Sequence, residues 1–254
     1  MKKTTGAKIY AIANHKGGVG KSTTAAAIGE GLMLEGYKVL FIDLDAQADL
    51  TLQLQADNTG GAKTAADVIF NGTPAEQAIQ HTTQGDIIPA ADQLIEADTR
   101  IKREAQRLNN AISPLRPLYD FIVIDTPPAL NMLTINALTA AHSVIIPIGA
   151  DTWSIKAIGK MYNTIDAIQA TSNPALTVEG LLLTRYNPRT NLSRDLLEII
   201  ERAAQRLNTK VFKAAIHESV TIKEAQTLQT GIQAHAPHSK PALDYKALVK
   251  ELIT

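Results

Sequence analysis

Asn14-His15-Lys16-Gly17-Gly18-Val19-Gly20-Lys21-Ser22-Thr23-Thr24 is the stretch that decides the fold. A β-branched and apolar run, Lys8 to Ala13, precedes it. An Ala- and Leu-rich segment, Ser22 to Glu35, follows as a predicted helix closed by Gly36. Between a strand and a helix, glycines let backbone N–H groups turn inward around phosphate oxygens, and the helix N-terminus adds its positive dipole end. Gly17, Gly18, Val19, Gly20, Lys21, Ser22 and Thr23 are therefore candidate nucleotide-binding residues. Lys21 can reach the β- and γ-phosphates, and the Ser22 hydroxyl is placed to ligate Mg²⁺. The common spacing G-x-x-x-x-G-K-[ST] fails at its first position, where His15 stands, and a second lysine, Lys16, follows it. A lysine at the start of the loop points away from its own phosphates. It is expected to act in trans on the phosphates of a facing copy, as an arginine finger does. His15 reads as loop structure, since no catalytic partner for it is evident.

Outward from the loop, strand-like and helix-like segments alternate. Predicted strands are Lys8 to Ala13, Val39 to Ile42, Phe121 to Ile124, Ser143 to Ile148, Val178 to Thr184 and Lys210 to Ala214. Further predicted helices are Leu94 to Asn110, Asn131 to Ala140, Thr152 to Ala170, Leu192 to Leu207, Thr221 to Thr230 and Leu243 to Ile253. Continuous apolar strands separated by helices indicate an α/β fold: one parallel sheet with helices on both faces, here read as a single domain over residues 1–254. Such sheets bind ligands at the carboxyl ends of their strands, where Asp43, Asp45 and Asp125 fall. Asp43 and Asp125 are placed to serve the metal, and Asp45, farther out, to orient the attacking water. An Asp at a strand end is often only a helix cap. That alternative holds for any one of the three and weakens for all three beside such a loop.

The chain has 254 residues and no cysteine, which excludes disulfides, thiolate metal sites and Cys-ligated iron–sulfur clusters. No apolar run reaches about 18–20 residues, and the N-terminus lacks the pattern of a signal peptide, so a cytoplasmic protein without stable membrane insertion is expected. Lys+Arg and Asp+Glu are both 25. The balance is uneven, however: Val39 to Asp98 holds ten acids against one base, whereas Arg185 to the end holds eleven bases and seven acids. One face can thus meet a polyanion while the whole stays neutral, although ordinary solvated faces give the same counts.

Lys16-Gly17-Gly18-Val19-Gly20-Lys21-Ser22 resembles the deviant Walker A loop of the ParA/MinD family of P-loop ATPases. Val39 to Gln47 resembles the family's second motif and Tyr119 to Pro128 its Walker B, and Leu133 to Ala141 and Leu183 to Asn187 also fit. The match runs over nearly the whole chain, nearest the ParA (Soj-like) branch of partition ATPases. The resemblance implies an ATP- and Mg²⁺-bound sandwich homodimer that binds DNA without sequence preference, associates with the nucleoid, and hydrolyses ATP slowly under stimulation by a ParB-type centromere-binding partner. By position it implies phosphate binding by Lys21, trans action by Lys16, Mg²⁺ ligation by Ser22 and Asp125, water positioning by Asp45, and adenine contacts by Thr184 and Arg185. Three departures stand out. Ala46 replaces a common proline, and no helix-turn-helix extension is expected before the loop. Glu218 and Thr221 stand where relatives often carry DNA-contacting arginines, so Arg189, Arg194, Lys210, Lys213 and Lys223 are the candidate DNA contacts. A MinD-like membrane-cycling ATPase is the alternative. Its basic amphipathic tail is not matched by Tyr245 to Thr254, which reads as a core helix. A small-molecule phosphotransfer enzyme of the same fold is a further one.

Overall fold

The computed structural model describes residues 6–101, 104–149, 151, 153–187, 191–206 and 208–254. The strands among them are β1 (Lys8–Ile12), β2 (Val39–Asp43), β3 (Gln80–Thr82), β4 (Gly85–Ile88), β5 (Phe121–Asp125), β6 (Ser143–Gly149) and β7 (Thr177–Thr184). The helices are α1 (Lys21–Leu34), α2 (Asp49–Gln53), α3 (Ala65–Asn71), α4 (Ala97–Arg100), α5 (Arg107–Ile112), α6 (Met132–Ala140), α7 (Trp153–Thr171), α8 (Asn191–Arg206), α9 (Val220–Thr227), α10 (Ile232–His235) and α11 (Lys240–Ile253). One sheet runs in the order β3-β4-β2-β5-β1-β6-β7. Every pairing is parallel except β3 with β4.

Alternation along the strands divides the core into two layers. Ile9, Leu40, Ile42, Ile122 and Ile124 pack on one face with residues of α3, α5, α6, α7 and α8. Tyr10, Ile12, Val39, Phe41, Phe121 and Val123 pack on the other with residues of α1, α2, α9, α10 and α11. Successive strand residues point to opposite faces, so Asp43 shares its face with Phe41, and Asp125 with Val123. This directs both carboxylates to the side of the sheet where α1 lies. The register pairs Asp43 with Asp125 and Asp125 with Ile12, so the two acids stand side by side on neighbouring strands.

The fit on this face is close. A Cβ built on Gly29 of α1 would run into the ring of Phe41. Gly29→Ala is therefore expected to lower stability by about 1–3 kcal/mol through overpacking, despite its better helix propensity. Urea unfolding measures this; a stabilised variant would show that the helix simply moves aside.

Two predicted elements are corrected. The segment Leu94 to Asn110 is not one helix: a 3-10 turn (Asp92–Glu96) leads into α4, and α5 starts afresh at Arg107. Asn136 of α6 holds the restart, donating to the Glu104 carbonyl at 3.0 Å and accepting the Leu108 N–H at 3.1 Å. Lys210 to Ala214 is not a strand: beside β7 there are isolated bridges at Val211 and His217. Glu251 of α11 takes the N–H groups of Lys213 and Ala214, and Asp244 takes that of His217, where a further strand would otherwise pair. The sheet also carries two strands outside the predicted set, β4 parallel to β2 and β3 antiparallel at the edge. The Tyr245 to Thr254 reading holds: Tyr245, Leu248, Val249 and Leu252 are buried on α11 against the core.

Candidate functional site

Beyond β1 the chain is pinned before it turns. The Asn14 side chain donates to the Pro147 carbonyl at 2.6 Å and accepts the Lys16 N–H at 3.0 Å. Gly18 and Gly20 then take φ of 72° and 83°, in the left-handed region that a Cβ disfavours. Open space surrounds both, so backbone conformation rather than crowding requires glycine here. Gly20 precedes α1 and offers no side chain to cap it. The first-turn N–H groups are thereby left without a capping side chain, as at anion sites on helix N-termini.

Lys21 is nearly buried, at 6% exposure. Burial draws its ammonium below the usual lysine range, opposed by the charges of Asp125, Asp45 and Asp49. Asp125 is fully buried. Its Oδ1 accepts the Thr126 N–H at 3.0 Å, whereas Oδ2 has no partner. Burial, reinforced by neighbouring Asp43, raises its pKa well above the carboxylate range, with Ser22 and Lys21 acting the other way. A buried carboxylate oxygen without a donor, beside a serine hydroxyl, is chemically suited to a divalent cation. The residues present therefore fit Mg²⁺.

Asp43, also a candidate metal ligand, is differently employed. Oδ2 accepts both the N–H and the hydroxyl of Thr51, at 2.9 and 2.7 Å, and Oδ1 accepts the Asp45 N–H at 3.0 Å. Burial raises it to about 6 in spite of these donors. Asp45 is half-buried, with Oδ1 accepting the Gln47 N–H at 3.1 Å. Burial raises its pKa too, and Lys21 offsets part of this.

These shifts carry a sign. Asp43 and Asp125 bind protons more readily in the folded chain than in the unfolded one. Stability of the nucleotide-free protein is therefore expected to fall as pH rises from the ordinary carboxylate range through about 6. A cation at Asp125 competes with that proton. The rise in melting temperature on adding Mg²⁺ and ADP should be larger on the alkaline side of that window than on the acidic side. An equal rise on both sides would remove Asp125 from the metal site.

Around the loop lies a cleft of about 600 Å³. Gly17, Gly18, Gly20, Lys21, Ser22, Thr23, Asp45, Thr184 and Arg185 line it, and so does Lys223. Thr184 directs its hydroxyl to the carbonyls of Val19 and Ile148, at 2.9 and 3.1 Å, tying the loop to β6 and β7. Arg185, in the left-handed region at φ 54°, reaches Glu218 at 3.6 Å. Lys16 is not part of the lining. Its ammonium meets the carboxylate of Asp151, just beyond β6. His15 Nε2 meets Thr164 Oγ1 of α7 at 3.1 Å, in keeping with a structural role.

The C-terminal wall of the cleft escaped sequence reasoning. Ile216 to Ser219, Ile222, Gln226 and Tyr245 all contribute to it. The signal was present in the three- and four-residue spacing of 219, 222, 223 and 226, but nothing local says that this face meets the loop. Among the candidate DNA contacts, Lys213 is exposed, Lys210 lies over the Phe212 ring at 5.0 Å, and Arg189 lies outside the described residues. Arg194 falls within α8, its side chain outside the described residues.

A strand leading into a glycine loop, a helix-opening lysine and serine, and strand-end carboxylates on the helix side define a P-loop nucleotide-binding protein. The family model described as an AAA domain matches residues 7–178. The chain is 37% identical to the sporulation initiation inhibitor protein Soj of Bacillus subtilis, over 96% of this chain and 98% of that protein. It is 31% identical to the chromosome partitioning protein ParA of Caulobacter vibrioides, over 97% and 94%. A Mycobacterium smegmatis structure described as cobyrinic acid a,c-diamide synthase, with a bound ATP analogue and magnesium, superposes with a TM-score of 0.84 at 32% identity, covering 97% of this chain and 94% of that one. The chain belongs to the ParA/MinD family of P-loop ATPases, on its ParA side. ATP and Mg²⁺ are the nucleotide and metal that its loop and carboxylates suit.

Proposed function

We propose that this chain is a ParA-type partition ATPase, in which ATP closes a sandwich homodimer that holds DNA and slow hydrolysis releases it. The observation that carries this reading is the division of labour between the two lysines. Lys21 lies inside its own cleft, whereas Lys16 points out of it and pairs with Asp151. A cation placed there contributes to phosphate binding only across an interface.

Ser22 and Asp125 would hold Mg²⁺, which when bound supplies charge neutralisation on the phosphate oxygens. Lys21 binds the β- and γ-phosphates. Asp45 accepts a hydrogen bond from the attacking water and orients it, its N–H fixed by Asp43. Asp43 stays behind this pair and orders Thr51 and Asp45. Lys16 leaves Asp151 for the partner's phosphates, so ATP binds the dimer better than the monomer, and hydrolysis removes that preference. Lys210 and Lys213, with Arg189 and Arg194, are the proposed cations toward duplex DNA, and a ParB-type protein is the proposed stimulator. Placement in the cytoplasm and on the nucleoid follows from that reading.

Retention on non-specific duplex DNA across a salt series, with and without ATP, tests the proposal. ATP-dependent retention that weakens with salt is expected, each phosphate contact adding about 0.9 to the log–log slope. Sedimentation with liposomes instead of DNA would favour the MinD-like reading, against which the buried apolar face of α11 argues. The name of the M. smegmatis neighbour favours a second reading, an ATP-dependent enzyme acting on a small molecule. Hydrolysis unaffected by DNA and a partition partner, but stimulated by a carboxylic acid substrate, would support it.

A further inference from the structure

Ser219, Ile222, Lys223 and Gln226 all line the cleft. Intervals of three and four place them on one face of a helix, and Ser219 caps α9 by accepting the Thr221 N–H. That face is fastened to the phosphate loop: the Gln226 amide donates to Thr23 Oγ1 at 2.9 Å. Thr23 directly follows Ser22 in the first turn of α1. Lys223, one helical turn before Gln226, is exposed and lines the cleft on the same helix face.

The charges near Lys223 are otherwise engaged. Glu224 lies 3.6 Å from His235, and Glu218 lies 3.6 Å from Arg185. Among the described residues Lys223 itself has no ion pair. Lys21, Ser22, Thr23 and Lys223 line the same cleft, and the Gln226–Thr23 contact sets α9 beside the first turn of α1, one residue past the serine.

We propose that Lys223 is a phosphate ligand in cis, acting at the α-phosphate end of the bound nucleotide, and that Gln226 positions α9 for it. This rests on reading the cleft as an ATP site. It replaces the expectation that Lys223 contacts DNA.

Calorimetric titration of the full chain with MgATP and with MgADP tests it, using Lys223→Gln and Lys223→Arg. Charge-assisted hydrogen bonds contribute about 1.5–3 kcal/mol, so Lys223→Gln should weaken both nucleotides by roughly tenfold or more. The factor should be the same for ATP and ADP, because the α-phosphate is common to both. Lys223→Arg, which keeps the cation, should recover most of the loss. Gln226→Ala should show the same pattern at smaller size. Unchanged nucleotide affinity in Lys223→Gln, with loss confined to ATP-dependent DNA retention, would overturn the proposal and return Lys223 to the DNA surface. A loss for ATP alone would also overturn it, since that places the lysine at the γ-phosphate. If the unmodified chain binds neither nucleotide, the ATP-site reading itself fails, and the two failures are thereby distinguished.

Discussion

Lys16→Ala is expected to abolish ATP-dependent dimerisation and to lower turnover by about 10³-fold or more, the range for a cation supplied in trans to a phosphoryl-transfer site. Nucleotide binding by the single chain should survive, because Lys21 and the glycine loop make up the chain's own site and Lys16 does not line it. Sedimentation velocity with a non-hydrolysable ATP analogue, beside a phosphate-release assay, separates the two effects. The Lys16 ammonium meets the Asp151 carboxylate within its own chain. On the proposed mechanism this ammonium would exchange one anionic partner for another, and the substitution would remove both states of that exchange. Dimerisation with undiminished turnover would refute the assignment.

Asp45→Ala should separate the switch from the chemistry. The carboxylate is half-buried and lines the cleft, and its backbone is fixed by Asp43. Loss of a group that positions or deprotonates the nucleophile costs about 10²- to 10⁴-fold. Turnover should therefore fall by that amount while the ATP-bound dimer persists and accumulates on DNA. Single-turnover hydrolysis and a nucleotide-binding titration are the paired measurements. If Asp45→Ala instead fails to bind ATP, Asp45 belongs to the binding machinery. Removal of Asp45 also takes away one of the charges supporting the Lys21 ammonium. A slight change in affinity is therefore expected beside a large change in rate.

Much of the fold and of the site is legible in the sequence. The phosphate loop is a local device: six or seven consecutive residues supply the turn, the N–H groups, the lysine and the hydroxyl. Buried parallel strands announce themselves as continuous apolar runs, and the acids ending two of them, Asp43 and Asp125, mark the ligand edge of the sheet. The hairpin of β3 and β4 is not legible in the sequence because Gln80–Thr82, a partly buried edge, carries no apolar pattern and Gly85–Ile88 only two apolar residues. The break before α5 was missed because its cause, Asn136, lies in another helix.

The sequence by itself determined the α/β class, the phosphate loop, and the acids at the ends of β2 and β5, because each depends on neighbours in the chain. Only the tertiary structure decided which elements close the cleft and which acids remain available. Gln226 meets Thr23 across 203 positions and Tyr245 meets Thr24 across 221. Asp43 is taken up by Thr51, while Asp125 keeps one oxygen unpartnered. These distinctions arise when helices pack on the sheet: the same residue type, at the same kind of strand end, becomes a structural acceptor or keeps an oxygen without a donor according to the groups that packing brings beside it.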